Sequence, residues 1–180
     1  MLQSNQSPPS EMEAKFYYAR LPSVPGPVLV ARTSTTPWEE PDGPENWTPK
    51  ELRPVGAHAL MEVWEDNLDS RLHTLLGSMK VKWTSIDIVR IGNAREHSAQ
   101  TAPVILWIGV MPASLSGNDG ISVASRCREL LVEYNITDVD VEIRESMVVN
   151  LVGSQAPHAR LRLHSRSHRN QQLPRDMSTQ

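Results

Sequence analysis

Cysteine is almost absent. Cys127 stands alone in 180 residues, which excludes an internal disulfide framework and any multi-cysteine metal site. Phenylalanine occurs once, and the aromatic share of 5% is carried mostly by five tryptophans. Hydrophobic residues reach only 39%, low for a chain packed throughout. The longest apolar run is Val104-Ile-Leu-Trp-Ile-Gly-Val-Met111, far short of the roughly 18 residues that cross a bilayer. Met1 to Ser10 hold neither the basic region nor the apolar stretch of a secretory signal. The sequons Asn46-Trp47-Thr48 and Asn135-Ile136-Thr137 then read as chance. The expectation is a soluble intracellular protein, cytoplasmic and without membrane association, whose cysteine stays reduced. A net charge of −3 gives no general footprint for nucleic acid.

What is present divides the chain into three. Residues 1–55 hold ten of the fourteen prolines. Each fixes φ and removes a donor, so neither helix nor sheet runs far there. Phe16-Tyr17-Tyr18, Val28-Leu-Val30, Trp38 and Trp47 are spaced like anchors. The segment is therefore an extended strap pinned to a folded body, or a disordered leader with incidental aromatics. Pro22-Ser-Val-Pro25 fits a PxxP pattern too short to be specific.

Residues 56–149 carry the periodicity of a core domain. From Ala57 to Met79, Leu60, Trp64, Leu68, Leu72, Leu75, Leu76 and Met79 recur at steps of three and four, one helical stripe. Trp83 to Ile91 is rich in β-branched residues and predicts a strand ending at Gly92; its alternation changes phase at Ile88-Val89, marking a bulge or burial on both faces. Val104–Val110 is apolar without a break, as a central strand requires. Ser116-Gly-Asn-Asp119 has the form of a capping box, and Ile121, Ala124, Cys127, Leu131 and Tyr134 make a second apolar helix face. Val139-Asp-Val-Glu-Ile-Arg144 alternates strictly and predicts a half-exposed strand. The expected class is α/β: a small two-layer sandwich of order α-β-β-α-β, with a proline-rich N-terminal strap and a disordered basic C-terminal tail. Strand order 1-2-3 follows if the most apolar strand is central, and 2-1-3 is the alternative.

Residues 150–180 carry five arginines against one acid, Asp176. They form either a basic arm for nucleic acid or an acidic partner, or a solvated tail.

Reactive constellations are scarce. Val152-Gly-Ser154-Gln-Ala156 is no nucleophile elbow, and Cys127 falls on an apolar helix face as a small hydrophobe. His158, His164 and His168 lack carboxylate or thiol companions beyond Asp176, and His58, His73 and His97 are scattered singly. Ser116–Gly120 opens a helix after a strand, but Asp119 occupies the place of a phosphate. A metal-dependent nuclease needs acid and lysine on neighbouring hairpin strands; Asp87 and Glu62 could start such a site, and Val104–Val110 offers no charge to complete it. No catalytic, cofactor-binding or metal residue is assigned, and no cofactor is implied. Surfaces remain. Trp64 and Trp83 fall within core periodicity, Trp107 fits either layer, and Trp38 and Trp47, in acidic proline-rich surroundings, are the candidate interface residues.

Three blocks carry a resemblance: Val81-Lys-Trp-Thr-Ser-Ile-Asp-Ile-Val-Arg-Ile-Gly92; Ala102-Pro-Val-Ile-Leu-Trp-Ile-Gly-Val110 with Ser114-Leu-Ser-Gly-Asn-Asp-Gly120; and Glu129-Leu-Leu-Val-Glu-Tyr134 through Val141-Glu-Ile-Arg-Glu-Ser146. Over residues 15–148 the chain resembles a multicopy family of uncharacterised proteins of mushroom-forming fungi. The resemblance implies longer relatives with a second, trypsin-like domain, marked by a Thr-Ala-Arg-His-like segment that this chain lacks. It transfers no catalytic residue. The expected function is a non-catalytic protein-interaction or regulatory module with a protein partner, the alternative an enzyme of unrecognised type, such as a degenerate nuclease-like or hydrolase-associated domain.

Overall fold

The computed structural model describes residues 7–21, 26–43, 46, 49–95 and 102–147. The chain divides into two units, Met1–Val148 and Val149–Gln180. The second unit, with its basic tail and three histidines, lies outside the described residues, as do Trp47, His97 and Pro22–Pro25. No helix among the described residues is long and apolar enough to cross a membrane.

In chain order the elements are α1 (Glu11–Phe16), β1 (Leu29–Arg32), β2 (Lys50–Arg53), α2 (Ala59–Val63), a π-helical segment (Trp64–Leu68), α3 (Asp69–Ser78), β3 (Trp83–Asn93), β4 (Val104–Val110), α4 (Gly117–Glu133) and β5 (Val139–Glu145). The class is α/β. The order α-β-β-α-β is too short for it, because the leader adds a helix and two strands of its own. Proline limits their length without forbidding them: β1 runs four residues between Pro27 and Pro37, and β2 fills the space between Pro49 and Pro54.

All five strands form one sheet in the order β1-β5-β4-β3-β2. β4 pairs parallel with β5 through the α4 crossover, and the other pairs are antiparallel. β4 is central and buried along its whole length, which its unbroken apolar run allows. The leader's two strands become the two edges.

One face of the sheet carries α2, the π-helical segment, α3 and α4. Leu106, Ile108 and Val110 of β4 and Val139, Val141 and Ile143 of β5 pack against Leu60, Leu68, Leu72, Leu76, Val123, Ala124, Cys127 and Leu131. Each fully buried aliphatic side chain contributes about 1.5–3 kcal/mol relative to exposure. The first helical stretch is not the uniform stripe its periodicity predicts. Asp69 N–H donates to Trp64 O, five residues back, and Trp64 is only half-buried at this widened turn. α4 begins on its capping box: Ser116 Oγ accepts from Asp119 N–H at 3.2 Å and donates to the Asp119 carboxylate at 2.7 Å. Gly120 then lets the helix close on β1, where a Cβ would stand 3.0 Å from the Val30 and Ala31 side chains.

The phase change at Ile88-Val89 is burial on both faces. Ile88 packs into the helix-side core and Val89 joins Ile91, Ile105 and Trp107 on the opposite side. The bulge of β3 lies near its start, between Trp83 and Ser85. Trp83 is a correction: it is 39% exposed, its indole stacked on the His73 ring with centroids 4.9 Å apart.

Candidate functional site

The second face of the sheet is where the sequence reading fails most. β5 was expected to turn Asp140, Glu142 and Arg144 to solvent, yet Glu142 is 2% exposed. The cover is the leader. α1, capped by Ser10 Oγ accepting from Glu13 N–H, delivers Tyr17 and Tyr18 onto the sheet, and Tyr18, Leu21 and Leu29 pack with Ile91, Ile105 and Trp107. The aromatic anchors thus pin a strap over polar residues of the sheet.

Each Glu142 oxygen receives one phenol. Tyr17 OH donates to Oε1 at 2.7 Å and Tyr18 OH to Oε2 at 2.6 Å. Trp107 Nε1–H donates to the Tyr18 oxygen at 3.0 Å, so both ring systems are held in a relay of edge-on contacts. Lys50 Nζ lies 3.4 Å from the centroid of the Tyr17 ring. Arg32 Nε pairs with Glu13 at 2.8 Å beside them. Arg144 lies over the Trp107 ring at 3.6 Å and reaches Asp87 at 3.3 Å.

Burial pushes the Glu142 carboxyl above its usual range, against the pull of its phenol donors, Lys50 and Arg32. Burial, then the Glu142 charge, raises both tyrosines. Burial brings Lys50 down to about 8, against the pull of Glu142. A partly deprotonated amine beside a phenol is chemically notable. Here, however, the phenols and carboxylate are spent on one another, and the strap fills the space above them.

Trp38 is half-buried beside this cluster. With Phe16, Tyr17, Asn46 and Lys50 it lines a shallow recess of about 190 Å³. A wider groove of about 300 Å³ runs between α3 and α4, where Arg71 pairs with Glu133 and Arg126 with Glu129, each at 2.6 Å. The charges on its banks are thus already matched. Among the described residues no group of three or more His, Cys, Asp or Glu is placed to hold a metal. Asp87 faces Arg144, and Cys127 is fully buried with its thiol pushed up to about 12 by burial.

The remaining irregularity is an open sheet edge. β3 has eleven residues, but β2 pairs only with Arg90–Asn93. Among the described residues no strand lies outside Trp83–Val89, seven residues flanked by β4 on one side alone. An antiparallel strand directs the N–H and C=O of alternate residues to each neighbour, so half of this stretch's backbone groups have no strand to meet. The stretch carries one charge, Asp87, and no lysine or proline. Charge, lysine and proline are devices that normally blunt an edge, as is a bulge, and of these the stretch has the single charge and the bulge between Trp83 and Ser85. Sequence reasoning identified the strand and missed that it outruns its partner, because the partner, Lys-Glu-Leu-Arg, has no strand period.

No protein-family model matches the chain, and neither a curated protein nor a solved structure shows similarity to it.

Proposed function

We propose that this chain is a non-catalytic protein-interaction module that takes up an extended polypeptide strand along Trp83–Val89. The observation that carries the reading is the seven-residue length of β3 beyond the end of β2. Strand addition supplies affinity through backbone hydrogen bonds and specificity through alternate side chains. The side chains at the joint fit that use: Ile86 and Ile88 on one face, Ser85 and Asp87 on the other, with exposed Trp83 at the end. The matched ion pairs of the α3–α4 groove and the closed Glu142 cluster speak against the enzymatic alternative. We place the module in the cytoplasm with a protein partner, and read it as a relative of the leading domain of the longer fungal proteins it resembles.

The test is capture of partners from native extract on the full chain, followed by amide hydrogen exchange on the complex. Slowed exchange across residues 83–89 on binding is the expected result. A complex that protects only other segments, or a chain that retains no protein, overturns the reading.

A further inference from the structure

The cluster on the strap side of the sheet leaves one reactive group unmatched. Tyr17 and Tyr18 give their hydroxyls to Glu142, and Arg32 is paired with Glu13. Lys50 has no such partner. Among the described residues its Nζ makes no hydrogen bond and no ion pair; it meets only ring faces, Tyr17 at 3.4 Å and Tyr18 at 5.6 Å. A ring face favours the ammonium form but takes no proton from it. Nor is the amine sealed. Among the described residues the sealed polar atoms without a partner are Thr84 Oγ1 and Arg144 Nε, whereas Lys50 lines the recess beside Trp38.

We infer that Lys50 is a carbonyl-reactive amine, and that its recess seats a single-ring aromatic aldehyde which condenses with Nζ as an imine. Lys50 is the first residue of β2 and pairs with Asn93 of β3, so its stem starts from a fixed backbone. Phe16, Tyr17, Trp38 and Pro41 give the recess flat apolar walls. Its volume of about 190 Å³ is below the roughly 300–1,000 Å³ of pockets for drug-sized ligands, which limits the occupant to a single ring. Burial brings the amine down to about 8, against the pull of Glu142 and Glu13 and with Arg32 adding to the fall. An appreciable share is therefore uncharged near neutral pH. The Nζ lone pair attacks the carbonyl carbon, and one of its protons passes through water to the oxygen, giving a carbinolamine. The second nitrogen proton then leaves with the hydroxyl as water, and a C=N bond remains. The site uses none of Trp83–Val89, so it stands or falls apart from the docking edge.

The experiment exposes the full chain to benzaldehyde with cyanoborohydride, which reduces the imine to a stable benzylamine, and maps the label peptide by peptide. The exposed Lys15, Lys80 and Lys82 are internal controls; Lys15 also rests on a ring, Phe16 at 5.1 Å. Expected at about pH 7 is labelling of Lys50 about tenfold or more above each of the three, a lead that shrinks toward about pH 10 as ordinary amines lose their protons. Acetaldehyde, which has no ring, should show a several-fold smaller lead, and Trp38→Ala should lower the benzaldehyde lead alone. Equal labelling of all the lysines, or a Lys50 left unlabelled, overturns the reactive amine. A Lys50 lead that is the same for both aldehydes overturns the aromatic recess, as does a benzaldehyde lead that Trp38→Ala leaves unchanged. Should that variant lose the acetaldehyde lead too, its strap is disturbed, and the contrast between the two aldehydes on the unaltered chain decides.

Discussion

On the helix side, β4 and β5 present only aliphatic residues, Val104, Leu106, Ile108 and Val110 beside Val139, Val141 and Ile143. On the strap side the same two strands present Ile105, Trp107 and Gly109 beside Asp140, Glu142 and Arg144. The first face is closed by area removed from water, which asks only for apolar volume at the right period. The second is closed by a specific set of donors and acceptors, each useless without its partner. On this sheet the cover answers Glu142 oxygen by oxygen, while Arg144 Nε on the same face is buried without a hydrogen-bond partner.

The comparison can be broken first where it is strongest. Leu106→Ala on the helix side leaves a cavity in fully buried surroundings and should cost about 2–5 kcal/mol in denaturant unfolding. A loss within about 0.5 kcal/mol, the range of surface substitutions, would mean that this face is loosely packed. On the strap side, Tyr18→Phe removes a donor to Glu142 and the acceptor of Trp107 Nε1–H, at about 1–3 kcal/mol. Adding Glu142→Leu in that background should cost less than Glu142→Leu alone, since part of the unpaired polarity is already gone. Strict additivity of the two would show that the relay does not act as a unit.

The smallest effect is in pH. Lys50 is held at about 8 against an ordinary value of 10.5, so the folded chain disfavours its charged form. Its contribution is full above the unfolded value and is lost as pH falls through 8, and stability should therefore rise from pH 8 toward 10. Tyr17 and Tyr18 are raised above 10, so their contribution is lost at still higher pH and the curve turns down. Glu142 is raised as well, and its contribution grows as pH falls toward the acid range. After allowance for the exposed fraction of Lys50, the alkaline rise should be ~1 kcal/mol in melting experiments, and Lys50→Met should flatten it. A rise that persists unchanged in that variant assigns it to another group.

Legibility follows the same division. The central strand, the capping box at Ser116 and the apolar faces of α3 and α4 are readable because each depends on residues close together in the chain. Glu142 is not readable. Val139–Arg144 alternates as an exposed strand does, and the phenol that caps its carboxylate lies 125 positions earlier. The leader's anchors were visible at Tyr17-Tyr18 and Leu29, while the strands of β1 and β2 were hidden by their brevity among prolines. Of the two candidate interface tryptophans, Trp38 lies beside Tyr17 and Lys50 on its own chain's strap, and Trp47 falls outside the described residues. The open edge was hidden for another reason: an unpaired ladder is a property of where a neighbour stops.

The pairing of β1 has a consequence for how the molecule is made. Among the described residues its one neighbouring strand is β5, with Leu29 set against Arg144, so β1 leaves the ribosome long before the strand it pairs with. Closing so large a loop delays the encounter more than it weakens the product. During synthesis, Leu29–Arg32 and the tyrosines behind it have nowhere to go until the final strand emerges. A ribosome stalled before Val139 should therefore hold a nascent chain whose N-terminal fifth is open to proteases, and release of a few dozen further residues should shut it.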